Sequence, residues 1–295
     1  MIWQLDFYRR PLQDAKGNPL WELLICDQQL AFTYVAFCPQ REANAPWLRQ
    51  QLEAASDRAG ALPDQIAVFR PQSITLVEVA CRELPITVIP RRDLPALKQW
   101  LRQRAAWYPS LDTYTGQPYA PVAIERPAPV PIADYLMGDR WQFAAVNADA
   151  LTRLTQEPIP IQSISPSLMP LTLGLPSTLP IPGVVIDGGR QSMALAQWLQ
   201  SSLPVMLQYI AGVPDGLLLE AGLADRWILA TFEDDDVAAA ARTFTERKLA
   251  AKGLHFLLVR PDDSGMTYTG LWLLQSTPGK VVERSSEPGN SSNEA

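Results

Sequence analysis

Short apolar runs alternate along the chain with stretches whose apolar residues recur at helical spacing, the pattern of a mixed α/β protein. Residues 2–10, 20–26 and 30–38 read as three strands, the first two joined by a turn in which Gly17 and Asn18 tolerate positive φ. Residues 46–58 are helical, with Trp47, Leu48, Leu52 and Ala55 at near-helical spacing. There follow a short strand at 65–69, a helix at 73–82 in spite of its β-branched content, and a strand at 86–89. An amphipathic helix at 94–107 places Leu94, Leu97, Leu101 and Ala105 on one side. Three strands, then helix, strand, helix, strand, helix is the order of a ribonuclease H-like domain, a meander extended by parallel strands through helical crossovers. Mixed sheets of other topology fit the same string.

Six prolines among the 23 residues 109–131 favour an extended, semi-rigid connector. The expected class is therefore α/β with two mixed-sheet domains. An N-terminal domain covers 1–108, a proline-rich linker 109–135, a C-terminal α/β domain 136–278 and a disordered tail 279–295. The tail is too rich in Ser, Glu, Asn, Gly and Pro to bury a core. In the second domain, 141–146 reads as a strand and 148–155 as a short helix. The proline-rich span 158–182 reads as wrapping over the domain surface. Residues 183–187 and 191–199 read as two strands about Gly188 and Gly189, 203–210 is ambiguous, and 217–220 and 227–232 suggest another strand pair. A strong helix at 237–252 begins after an acidic run, 233–236, and stops at Gly253. The strand 254–259, a turn and a closing apolar run with Trp272, Leu273 and Leu274 make a hairpin-like end.

Charge narrows the functional classes. The formal net charge is −6 and the isoelectric point about 5.0, which argues against strong non-specific binding to phosphates, so any nucleic-acid surface must be local. No apolar run reaches the length of a membrane span, and the N-terminus carries neither a secretory signal nor a transit-like extension. A cytoplasmic, bacterial setting is expected. Cys26, Cys38 and Cys81, widely spaced within apolar runs, read as reduced core thiols.

A ribonuclease H-like scaffold invites a search for metal-holding acids. Asp6 on the first strand and Glu53 on the first helix qualify, but Arg70 and Pro71 stand where a third acid is wanted. Asp187 and Glu220 end two strands of the second domain. Gly188 and Gly189 could offer backbone N–H groups to a phosphate, yet they lack a dinucleotide or P-loop pattern and read as turn glycines. The acidic run 233–236 reads as a helix cap, and His255, the single histidine, as a core residue with a satisfied hydrogen bond. No catalytic residue, metal or cofactor is expected.

The signal left is cationic and aromatic. Arg91, Arg92, Lys98, Arg102 and Arg104 stand against Asp93, a local net of +4, with Trp100, Trp107 and Tyr108 interleaved. Cations for phosphates and rings for bases are the two components of single-strand binding. Tyr8, Arg9 and Arg10 form a second cluster.

Four stretches carry a family resemblance: 3–11 (WQLDFYRRP), 21–27 (WELLICD), 253–256 (GLHF) and 265–274 (GMTYTGLWLL). Over about residues 1–275 the chain resembles the plastid and cyanobacterial RNA-binding proteins needed for translation of a photosystem I reaction-centre subunit. The resemblance implies a non-enzymatic protein whose partners are the mRNA leader of that subunit and the translation machinery. It also implies a part in RNA binding for Trp272, Leu273 and Leu274. A protein-interaction scaffold for photosystem biogenesis and a divalent-metal nuclease remain as alternative readings.

Overall fold

The computed structural model describes residues 1–276; the tail expected over 279–295 lies outside them. The chain divides into two compact units. The first holds Met1–Ala128 with the short segment Gly222–Arg226, and the second holds Pro129–Ala221 and the chain from Trp227 onward. The division falls inside the segment expected as a linker, whose residues 109–128 belong to the first unit.

In that unit the elements run β1 (Ile2–Gln13), β2 (Pro19–Cys26), β3 (Thr33–Pro39), α1 (Ala45–Ala59), β4 (Gln65–Val68), α2 (Pro71–Cys81), β5 (Thr87–Pro90) and α3 (Pro95–Trp107). The sheet order is β3-β2-β1-β4-β5. The first three strands are antiparallel neighbours, while β4 adds parallel to β1 and β5 parallel to β4, the meander with crossovers read from the sequence. One face packs Trp3, Leu5 and Phe7 against Leu48, Leu52 and Val77 of α1 and α2. The other packs Leu24, Cys26 and Ala67 against Leu97 and Leu101 of α3. Local chemistry sets the ends of α1: Asn44 accepts from the Trp47 N–H at 3.0 Å, and Gly60 closes the helix at φ 77°. Cys26, Cys38 and Cys81 are buried and free, and burial pushes their thiols up to about 12, 12 and 11.

The second unit contains β6 (Val130–Pro131), β7 (Arg140–Asn147), α4 (Ala148–Leu154), β8 (Ile161–Ser163), β9 (Pro180–Asp187), α5 (Ser192–Ser202), β10 (Pro204–Ile210), β11 (Asp215–Ala221), β12 (Asp225–Phe232, all but its first two residues), α6 (Asp235–Ala250), β13 (Leu254–Arg260) and β14 (Gly270–Gln275). They form two sheets, β7-β9-β13-β14-β8 and β10-β11-β12-β6. The strand expected at 191–199 is the helix α5. Leu195, Ala196 and Leu199 bury one side of it, and a recurrence of four residues is helical. At α6 the acidic run does cap: Asp234 accepts from the N–H groups of Asp236 and Val237. None of the described helices is long and apolar enough to cross a membrane.

Candidate nucleic-acid interface

Side chains alternate across a strand, so Asp6, Tyr8 and Arg10 leave β1 on the face opposite Trp3, Leu5 and Phe7. Tyr8 pairs with Glu22 on β2, and Glu22 pairs with Phe37 on β3, which makes a strip across the sheet beneath α3. Its inner part is a buried charge network. Arg10 donates to Asp6 at 2.7 Å, to Glu22 at 2.8 Å and to the Tyr119 hydroxyl at 2.6 Å. Arg70 donates to the other Asp6 oxygen at 2.7 Å, to the Ala123 carbonyl at 2.8 Å and to the Pro121 carbonyl. Tyr108 donates to Glu22, and Arg104 pairs with the second Glu22 oxygen. Burial pulls the Arg10 guanidinium down, but Asp6, Tyr119 and Glu22 together outweigh it and raise its affinity for the proton.

This network accounts for residues 109–128. Prolines remove N–H donors but keep their carbonyls, and the Pro121 carbonyl is one of those that Arg70 takes. Upstream, the Thr115 N–H donates to Pro11 and the Gln13 N–H to Thr113, each at 2.9–3.0 Å. The segment is a strap fastened over the sheet.

The network also decides the fate of the acids. Both oxygens of Asp6 are occupied by guanidinium groups, and Arg70, standing where a third acid was wanted, is one of the two donors. Glu53 is exposed on α1, across the sheet, and pairs with Arg49 at 3.5 Å. The two do not converge. In the second unit Asp187 is paired with Arg260 at 2.6 Å. The Gly188 and Gly189 N–H groups donate to the carbonyls of Arg260 and Pro261, so they are committed to a turn.

The five predicted cations divide. Arg91 and Arg102 are exposed. Arg92 donates to the Gly222 carbonyl at 2.6 Å, and Lys98 donates to the Arg92 carbonyl and lies 5.5 Å from the Phe69 ring. Arg104 is turned inward to Glu22, leaving its side chain 15% exposed. Its guanidinium carbon sits 4.7 Å from the Trp107 ring, 5.7 Å from Tyr108 and 5.8 Å from Phe37. Tyr108 is buried, whereas Trp107 and Phe37 remain 45% and 41% exposed. Phe37 was not legible as a site residue, since nothing along the chain ties it to α3.

Trp272, Leu273 and Leu274 lie in the core, at 1%, 4% and 3% exposure. Strand β14 runs between β13 and β8. Trp272 and Leu274 face one apolar cluster, with Leu257 and Val259, and Leu273 faces another, with Phe256 and Leu258. A side chain added at Gly270 would meet the Trp272 indole at 2.5 Å, which explains the glycine two residues before it. The motif offers no ring to a ligand from this position. Any part it has in binding runs through the strand it builds.

His255, on β13, is fully buried; its Nε2 accepts from the Leu207 N–H and its Nδ1 donates to the Gly253 carbonyl, both at 2.8 Å. Lys248 donates to the Leu207 carbonyl at 2.8 Å, so both backbone groups of one β10 residue are clasped. Burial, then Lys248, push the imidazole down to about 3 from 6.5. Below pH 6.5 the unfolded chain gains a proton here that the folded chain refuses, so this group costs stability as the pH falls towards 3. The stability advantage of wild type over His255→Gln is expected to shrink by about 1 kcal/mol per pH unit between about pH 6 and pH 5. Urea unfolding at each pH measures it, and a constant advantage would contradict the assignment.

Comparison with known proteins falls on both units. Residues 2–104 match the family model described as RNA-binding protein Tab2/Atab2 N terminal, and residues 119–275 match that of the RNA-binding protein Tab2/Atab2 C-terminal domain. A Zea mays protein named "Protein TAB2 homolog, chloroplastic" is 28% identical over 285 residues, covering 95% of this chain and 73% of the relative. An Arabidopsis thaliana protein of the same name is 29% identical over 292 residues, covering 95% and 76%. Among solved structures, the catalytic core domain of BIV integrase aligns at 15% identity over 38% of this chain and 74% of that one, with a TM-score of 0.26, too slight a likeness to carry an argument.

Proposed function

The chain belongs to the Tab2/Atab2 family of RNA-binding proteins, and from that membership we propose that it binds the mRNA leader of a photosystem I subunit and acts in that subunit's translation without cutting the strand. The observation that carries the reading is the cationic and aromatic surface of α3, where exposed Arg102 and Trp107 flank the anchored Arg104. Cations of this kind meet phosphates and exposed rings meet bases. The net charge of −6 works against generic nucleic acid, so affinity is modest and selective. On this reading the translation machinery is the second partner and the cytoplasm is the compartment. The occupied state of Asp6 supports a binding role over metal-assisted cleavage.

The test is a salt titration of binding to a labelled photosystem I leader against a scrambled strand. The leader is expected to bind more tightly, with log affinity falling against log salt at a slope of about −2, as for roughly three phosphate contacts on a single strand. Equal affinity for both strands would remove selective recognition. A flat salt response would remove the arginine surface, and shortening of the RNA with magnesium or manganese would remove the non-enzymatic reading.

A further inference from the structure

The rings of Phe37 and Trp107 come from separate elements, an outer strand and the last turn of a helix, yet both lie within 6 Å of one guanidinium carbon. Each keeps more than two fifths of its surface in water. Arg104 is drawn inward by an ion pair between its outer nitrogen and Glu22, which is fully buried. Two exposed rings and a fixed planar cation are therefore assembled before any ligand arrives. Little side-chain freedom is left to lose on binding.

We propose that this cluster is the seat of one unpaired base of a single-stranded RNA, stacked on Trp107 or Phe37 and set against the Arg104 plane. The proposal rests on the reading that the chain binds RNA and adds where a base is held. Every base has a π-face, so a seat of this kind tolerates sequence, and selection falls to neighbouring contacts. Among the described residues strand β3 is paired only with β2, leaving the backbone groups of its outer edge beside Phe37 to meet a base edge or ribose hydroxyl. Arg102, exposed on α3, supplies charge for a flanking phosphate, and Arg41, on the turn after β3, is 78% exposed and pairs with Glu42 at 3.3 Å, an exposed pair that a phosphate can displace. A duplex would be refused, because its bases are stacked on one another and their faces are closed.

Binding of a labelled single-stranded leader to the full chain, followed by fluorescence anisotropy over a range of salt, tests the seat. Trp107→Ala and Phe37→Ala are each expected to weaken binding about tenfold without changing the salt slope, since stacking displaces no counterions. Trp107→Tyr should keep most of the affinity, and Arg102→Ala should make the slope shallower. On the unaltered chain, a leader carrying 4-thiouridine should crosslink under light to the peptides holding Phe37 or Trp107, a readout independent of whether any variant folds. Wild-type binding with both alanine variants within twofold of it, or crosslinks confined to other peptides, would overturn the seat while leaving RNA binding intact. A wild-type chain that holds no single strand at all would remove the RNA reading and the seat together.

Discussion

Replacing Asp6 with alanine is expected to cost the first unit about 3–5 kcal/mol of stability, the range for removing one partner of a buried ion pair. The change strands two guanidinium groups. Arg10 and Arg70 are 2% and 3% exposed and spend their contacts on opposite oxygens of this one carboxylate. Asp6→Asn should cost nearly as much, because the amide retains one acceptor but offers N–H groups to a donor. A double-mutant cycle with Arg70→Ala separates the pair from the rest of the network, and a coupling of about 1–3 kcal/mol is expected. Urea unfolding followed by circular dichroism is the measurement. A loss below about 1 kcal/mol, the level of an exposed pair, would mean that water reaches the site and the strap is not closed.

Trp272→Ala is the second large effect, expected to destabilise the second unit by about 3–5 kcal/mol, as for truncation of a buried tryptophan. The diagnostic variant is the milder one. Trp272→Phe keeps an apolar ring in the same cluster and should cost less, while RNA affinity measured well below its melting temperature stays within about twofold of wild type. A side chain that touched RNA directly would behave the other way, losing affinity by about tenfold with little change in stability. Scanning calorimetry and anisotropy on the same preparations distinguish the two roles.

These expectations mark where the sequence was legible. The three-strand start, the crossovers and α3 could be read because each pattern is local: a turn with Gly17, a cap at Asn44, apolar residues every three or four positions. The Trp-Leu-Leu motif could be read as a last strand packed in the core, but not as one with a neighbour on each side, since β8 lies more than a hundred residues earlier. The polar face of β1 reads differently in the fold. Tyr8, Arg9 and Arg10 were a candidate cationic cluster, but the covering strap and α3 enclose Arg10 with Asp6 in an interior network. The prolines of that strap suggested an extended, semi-rigid connector, because density of proline reports stiffness and not what the carbonyls bind. Of the candidate site, the arginines and Trp107 were legible in the run 91–108. Phe37, about seventy residues away, was not.

The clasp on Leu207 bears on how the protein survives at high concentration. Strand β10 is the outermost of its sheet, and an outer strand with vacant amide and carbonyl groups is a template on which a second molecule can build. By filling both groups of its central residue with an imidazole and an ammonium, the chain blocks the growth of intermolecular sheet at that margin.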